Sequence, residues 1–373
     1  MTVAQASIPL FKVFTPNDAA AQLAPVLASG QLAGGQQVRT LESALSSWLG
    51  APQVVAVSDG SAAITLALTL AGVEAHDTVL VSPIACVASL MPIANIRAAP
   101  RWLDIDPDTG MTTASAIRAH AGERARALLH VQWSGDCGDV QALAAAAHEV
   151  EMACIVDATE AFGAERDGRR WLDDADFTAY SFYANKPLST AEGGALAVAD
   201  ADIAARARRL RRFGIDRTAQ RTVTGDLAAT LDIPEPGWNA TLTDLAAALG
   251  LASLPHVEAC IARHRDNAAW FDHALMSVQG LGLLRRNLRS RPAHWTYSLR
   301  AERRDDLIRK LHDAGIGAQR LHLRADRFSC FGGEEADLPG VDIFDRENLS
   351  IPCGWWVDDA ARERIAAVIK SGW

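Results

Sequence analysis

Two apolar runs, each followed by a well-placed ionisable side chain, decide how this chain folds: CIVDATEAFGA at residues 154–164 and FTAYSFYANKPLSTAEGGALA at 177–197. Neither run alternates apolar with polar residues. Continuous apolar strands of this kind are buried on both faces, as in a mostly parallel sheet sandwiched between helices. Asp157 ends the first run, at the carboxyl edge where open α/β sheets place their ligands. Lys186 follows the second run by a few residues and is trailed by Gly193 and Gly194, which permit a tight turn or a close backbone approach.

Working outward, the same alternation of short apolar runs with Ala/Leu-rich helical stretches extends from residue 53 to 213. It predicts strands at 54–57, 78–81, 127–131, 153–156, 177–181 and 195–198, an α/β layered domain. The pattern breaks in TAQRTVTGDLAATLDIPEPG (218–237) and resumes as a helix over 242–254. Beyond this seam, a long helix at 260–275 and segments at 296–300, 303–314 and 358–369 predict a smaller α+β unit. The expected division is a large domain, 1–240, with an N-terminal arm, and a small C-terminal domain, 241–373. A chain of 373 residues has room for both.

Composition narrows the function. Lys and Arg number 36 against 45 Asp and Glu, a net charge of −9, the wrong sign for affinity built on neutralising nucleic-acid phosphates. Six scattered cysteines show neither C-x-x-C pairs nor zinc spacing, so reduced thiols and no metal are expected. The opening MTVAQASIPLFKVF has no basic stretch leading into an apolar one, and the longest apolar run, 62–73, is too short to span a bilayer. A cytoplasmic protein without a membrane segment is the expectation.

A lysine near a strand end can act as a Schiff-base nucleophile. Pyridoxal 5'-phosphate needs such a lysine, a carboxylate to keep its ring nitrogen protonated, and an anion cradle. SDGSAAITLAL (58–68) supplies a cradle: Ser58, Gly60 and Ser61 lie between a strand and a helix, where hydroxyls and free N–H groups meet a helix N-terminus. Ser181 adds a hydroxyl. Singly, these residues read as a surface lysine, a helix cap and an ordinary turn; their order and spacing together point to the cofactor.

Seven motifs carry a resemblance. IPLFKVF (8–14) with LASGQLAGGQQVRTLESALSSWLG (27–50), SDGSAAITLAL, VSPIACVASLMPIAN (81–95), WLDIDPDTG (102–110), VDATEAFGA (156–164), SFYANKPLSTAEGGAL (181–196) and GWNATLTDLAAALGLASL (237–254) follow one another as in the DegT/DnrJ/EryC1/StrS family. The chain resembles these fold-type I pyridoxal-phosphate aminotransferases of nucleotide-linked keto sugars over nearly its whole length. The resemblance implies a large domain with a mostly parallel seven-stranded sheet. It makes Lys186 the covalent lysine and proton-moving group, and Asp157 the partner of the pyridinium nitrogen. Gly60, Ser61 and Ser181 would hold the phosphate, and Asn239 would reach the phosphate of a neighbouring subunit in a homodimer. Glu160, often Gln in the family, would lie near the ring hydroxyl and the substrate.

Three positions depart from the family pattern: Cys86 stands where many members put an aromatic ring on the cofactor face, Thr241 replaces an Arg and Gln132 a His. RLHLRADRFSCFG (320–332) resembles a substrate loop, so Arg320, His322, Arg324 and Asp326 are expected near a pyrophosphate or sugar hydroxyls. Trp355 and Trp356 read as packing before base stacking, and His264 as a surface histidine on a mixed-charge helix. The expected reaction moves an amino group from L-glutamate to a nucleotide-linked 4-keto-6-deoxy sugar, in aminosugar or polysaccharide biosynthesis such as O-antigen assembly. The alternatives are a PLP enzyme acting on a cyclitol ketone and a non-catalytic binder on the same fold. A nicotinamide oxidoreductase is disfavoured, because GIGAQR (315–320) lacks the third glycine of the dinucleotide fingerprint.

Overall fold

Successive side chains of each apolar run face opposite sides of one sheet and feed two separate cores. In the computed structural model, which describes residues 7–217 and 219–373, strand β1 (Gln53–Val57) sends Val54 and Ala56 to one core and Val55 and Val57 to the other. The remaining strands β2 (Thr78–Val81), β3 (Ala99–Trp102), β4 (Ala125–Val131), β5 (Ala153–Asp157), β6 (Phe177–Ser181) and β7 (Gly194–Val198) complete a seven-stranded sheet ordered β1-β7-β6-β5-β4-β2-β3. Only β7 opposes the common direction, pairing antiparallel with β1 and β6. All six expected strands are present. The seventh, β3 (APRW), lies at the sheet edge, partly exposed, and carries no apolar run.

Helices α1 (Ala19–Ser29), α2 (Gln36–Leu49), α3 (Gly60–Leu70), α4 (Val87–Asn95), α5 (Ala114–His120), α6 (Val140–His148), α7 (Ala201–Leu210) and α8 (Asp244–Ser253) surround this sheet. Leu41 and Leu45 of α2, Leu143 of α6 and Ala247 of α8 join one core; Ile64 of α3, Ile93 of α4 and Ala204 of α7 join the other. The exposed edge of β1 is blunted by side chains. Glu42 accepts the Ala56 N–H at 3.0 Å, and Arg208 and Arg211 donate to the Val54 and Ala56 carbonyls.

Helix α9 (Val257–Leu275) spans two cores. Val257 and Ile261 pack with the sheet, whereas Ala268, Phe271 and Leu275 pack in a third core. That core holds strands β8 (Leu281–Leu283), β9 (Tyr297–Ala301) and β10 (Asn348–Ile351), an antiparallel sheet ordered β10-β9-β8, with helices α10 (Arg304–Asp313) and α12 (Asp359–Lys370); α11 (Pro339–Glu347) precedes β10. The run Asp244–Leu275 is long and apolar enough to cross a membrane by composition alone. Its apolar residues instead fill the cores just described, and a short 3-10 turn containing Pro255 separates α8 from α9.

Two tethers position the site. The Asp244 carboxylate, at the start of α8, accepts the N–H groups of Gly35 and Val38 at 2.7 and 3.0 Å, satisfying the N-terminus of α2. The N-terminal arm lies against the β9–β10 unit: Ile8 bridges to Ile316, Gly317 donates to the Ile8 carbonyl, and the Trp356 indole donates to the Pro9 carbonyl at 2.9 Å.

Candidate active site

The carboxyl ends of β1, β5 and β6 converge on one pocket. Asp157 is the last residue of β5 and is buried at 1% exposure. Its Oδ1 accepts the Thr159 N–H at 2.9 Å, whereas Oδ2 is buried with no hydrogen-bond partner. Burial pushes this carboxyl above its usual range, opposed by the nearby Ser89 and Thr159 hydroxyls and the Thr159 N–H, although neither hydroxyl reaches Oδ2 in hydrogen-bond geometry. A buried carboxylate oxygen without a donor is costly, and one cationic N–H would satisfy it.

Beside it, Asp59 caps α3 by accepting the Ala62 N–H at 2.8 Å, and Gly60 opens the helix. Gly60 is held close to β6 and the β5 turn: a Cβ there would meet the Ser181 Cβ at 3.0 Å and the Thr159 Cγ2 at 3.2 Å. From β7, Gly194 presses on the same turn, so that a Cβ would lie 2.6 Å from the Asp59 carbonyl. The two glycines let the sheet and the helix N-terminus approach, and such an N-terminus favours an anion. Ser181 Oγ accepts from Tyr183 N at 3.3 Å and keeps its own proton to donate. Ser61 gives its proton to the Ala88 carbonyl and Ser58 to Asp59. The Ser58 N–H pairs with Ala240, which puts the exposed Asn239 one residue from this turn.

Lys186 lies on the loop after β6. Burial lowers its amine from the ordinary lysine range, opposed by the nearby charges of Glu160, Cys86 and Asp157. Glu160 is buried and fully engaged: Oε1 meets His322 Nε2 at 2.7 Å and Oε2 accepts the Ser134 N–H at 2.9 Å. Burial opposes its ionisation, but His322, Lys186 and Ser134 together hold the carboxyl below the usual range. Cys86, N-cap of α4, is half-buried here with its thiol pushed up by burial.

The 320–332 segment divides. Ala325 N–H donates to the Pro83 carbonyl and Arg324 bridges to Ile84, which docks the segment near α4 and delivers His322 to Glu160. Arg324 and Asp326, expected near the substrate, are instead fully buried and spent on each other, at 2.8 and 2.9 Å, with Arg324 also donating to Asp342 and the Ala336 carbonyl. Two residues apart on one turn, they neutralise one another. Arg320 pairs with Asp345 at 3.5 Å. His264 is not a surface residue: it is buried, Nδ1 on the His294 carbonyl, and desolvation pushes it down to about 4. Trp356 is tied to the N-terminal arm, and Trp355 packs edge-on against Phe14.

Ser134, at φ 53°, and Trp295 belong to the pocket yet escaped sequence reasoning. The positive φ at a non-glycine residue leaves no mark in one-dimensional sequence.

The donor set fits pyridoxal phosphate: an unsatisfied buried carboxylate oxygen, a lysine beside it and a glycine-lined helix N-terminus. Comparison with known proteins agrees. Residues 15–370 match the model of the DegT/DnrJ/EryC1/StrS aminotransferase family. The UDP-2-acetamido-2-deoxy-3-oxo-D-glucuronate aminotransferase of Pseudomonas aeruginosa is 28% identical over 348 residues, covering 93% of both chains. The GDP-perosamine synthase of Caulobacter vibrioides is 28% identical over 353 residues, 90% of each. The sugar aminotransferase CalS13 from Micromonospora echinospora superposes with a TM-score of 0.93 at 33% identity, covering 98% of this chain and all of its own. With its seven-stranded α/β sheet and the pocket at the strand ends, the chain belongs to the DegT/DnrJ/EryC1/StrS aminotransferase family.

Proposed function

We propose that this aminotransferase uses pyridoxal 5'-phosphate to move an amino group from L-glutamate to the ketone of a nucleotide-linked sugar, a 4-keto-6-deoxy sugar. The observation that carries the reading is the orphaned, buried Oδ2 of Asp157 in the same pocket as Lys186 and the Gly60 turn. Two relatives named for UDP- and GDP-linked sugars support the substrate class.

When bound, the cofactor supplies an electron sink that weakens a C–H bond next to an amine nitrogen. The residues do the rest. Lys186 would tether the cofactor and, once the substrate's amine displaces it, its freed amine would move the proton to or from the substrate carbon, a task suited to a lysine whose ammonium form burial disfavours. Asp157 would accept the ring N–H on its free oxygen. Gly60 and Ser61 would hold the phosphate through N–H groups at the α3 N-terminus, and Ser181 through its hydroxyl. Glu160, fixed as an anion by His322 and Ser134, orients the ring hydroxyl or a sugar hydroxyl, with His322 at the sugar side. Cys86 would lie on the cofactor face.

The test is the visible spectrum. Protein with added pyridoxal phosphate is expected to show a band that L-glutamate bleaches. A protein that stays colourless with the cofactor present would overturn the reading. The proposal extends to a homodimer in which Asn239 reaches the partner's phosphate. Sedimentation of loaded protein at micromolar concentration is expected to give twice the chain mass; a single chain mass with cofactor bound would reject the dimer.

A further inference from the structure

The amine of Lys186 has a definite resting place. Its Nζ lies 3.4 Å from the ring centroid of Trp295. The indole is itself fixed: Nε1 donates to the carbonyl of Asn185, the residue before the lysine, at 3.0 Å, and Phe11 stacks on the ring at 4.6 Å with 22° between planes. Phe11 arrives on the N-terminal arm, whose backbone is pinned at Ile8 and Pro9. The groups facing Nζ from the other elements are Glu160, Asp157 and Cys86, with His322 behind Glu160. Both Glu160 oxygens are taken by His322 and Ser134, and among the described residues no carboxylate oxygen forms an ion pair with Nζ. The negative face of an indole is the remaining partner for a cation there, and its attraction grows where water is excluded.

We propose that Trp295 is the positioning residue for Lys186: its indole face takes the charged amine, and Phe11 holds the indole, so that the N-terminal arm completes the active site. An ammonium held at one spot returns its proton to one spot. That use rests on the reading of Lys186 as the proton-moving group; the holding itself does not.

The test needs no cofactor, so its failure is distinguishable from failure of the proposed function. The full chain, stripped of cofactor, is produced with tryptophan replaced by mono- and polyfluorinated tryptophan, which keeps ring shape while withdrawing π density. The pH midpoint of Lys186 acetylation by acetic anhydride is read by peptide mass spectrometry. The chain has four lysines, Lys12, Lys186, Lys310 and Lys370, and the exposed Lys370 serves as reference. The indole favours the charged amine, so weakening it lowers the midpoint. A graded fall is expected, about one unit over the series, equivalent to about tenfold more neutral amine at a fixed pH below the midpoint. The midpoint, unlike the rate, is insensitive to reagent access. In a Trp295→Phe background the series is expected to be flat, and Phe11→Leu is expected to lower the midpoint in the native background. A flat series in the native chain, or a graded one that survives Trp295→Phe, would overturn the role of Trp295. An unmoved midpoint in Phe11→Leu would overturn that of the arm.

Discussion

Lys186→Ala is expected to lower turnover by at least about 10⁴-fold while leaving the fold and noncovalent cofactor binding in place. Proton transfer by a positioned side chain contributes roughly 10²- to 10⁴-fold, and the same lysine also supplies the covalent attachment, so the losses compound. The fold should tolerate the change because the side chain is not part of any core. Its contacts are the indole of Trp295 and the charges of Glu160, Asp157 and Cys86. Glu160 keeps both its hydrogen bonds without it. The turn proposed to hold the phosphate is built from Gly60, Gly194 and Ser181, none of which depends on the lysine. Steady-state amination of a keto sugar, with bound cofactor measured in parallel, checks this. Turnover within tenfold of the native chain would remove Lys186 from the chemistry and bring forward a scaffold that binds without reacting.

The parts of the site that were legible in the sequence share one property: each lies within a few residues of an apolar run. Asp157, Lys186 and the Ser58–Ser61 turn follow strands that are covered on both faces, so their place at the carboxyl edge follows from the strand itself. What was hidden depends on long-range contact. Trp295 lies two residues before β9, and only the packing of that segment against the sheet sets its indole beside Lys186. His322 and Arg324 are two residues apart and chemically alike as anion contacts, yet one reaches Glu160 and the other closes on Asp326. The difference is the bridge of Arg324 to Ile84, a pairing across 240 positions that no local pattern announces. His264 illustrates the same limit: its helix is rich in charge, but its own position on that helix faces the His294 carbonyl.

Asp157→Asn is expected to separate stability from activity. In the protein without cofactor the carboxylate is buried, and one of its oxygens has no donor. Its folded pKa is raised, so its contribution to stability is full below the ordinary aspartate range and is lost as pH rises through the raised value. Above the ordinary aspartate range the cost of burying the charge therefore weighs on the cofactor-free chain. Asparagine removes that charge while its amide oxygen still accepts the Thr159 N–H. The thermal midpoint of the cofactor-free variant at neutral pH should be equal to or above that of the native chain, and any advantage of the variant should shrink toward acid pH. Activity moves the other way. A neighbouring opposite charge shifts a pKa by about 1–3 units, and each unit is worth a factor of ten, so without the carboxylate the ring nitrogen would hold its proton less and turnover is expected to fall by about 10- to 10³-fold. Melting scans of the cofactor-free variant, set beside its amination rate with cofactor, test both halves. A variant that melts well below the native chain would show that the free oxygen has a structural partner. One that turns over at the native rate would show that the ring nitrogen is held by another residue.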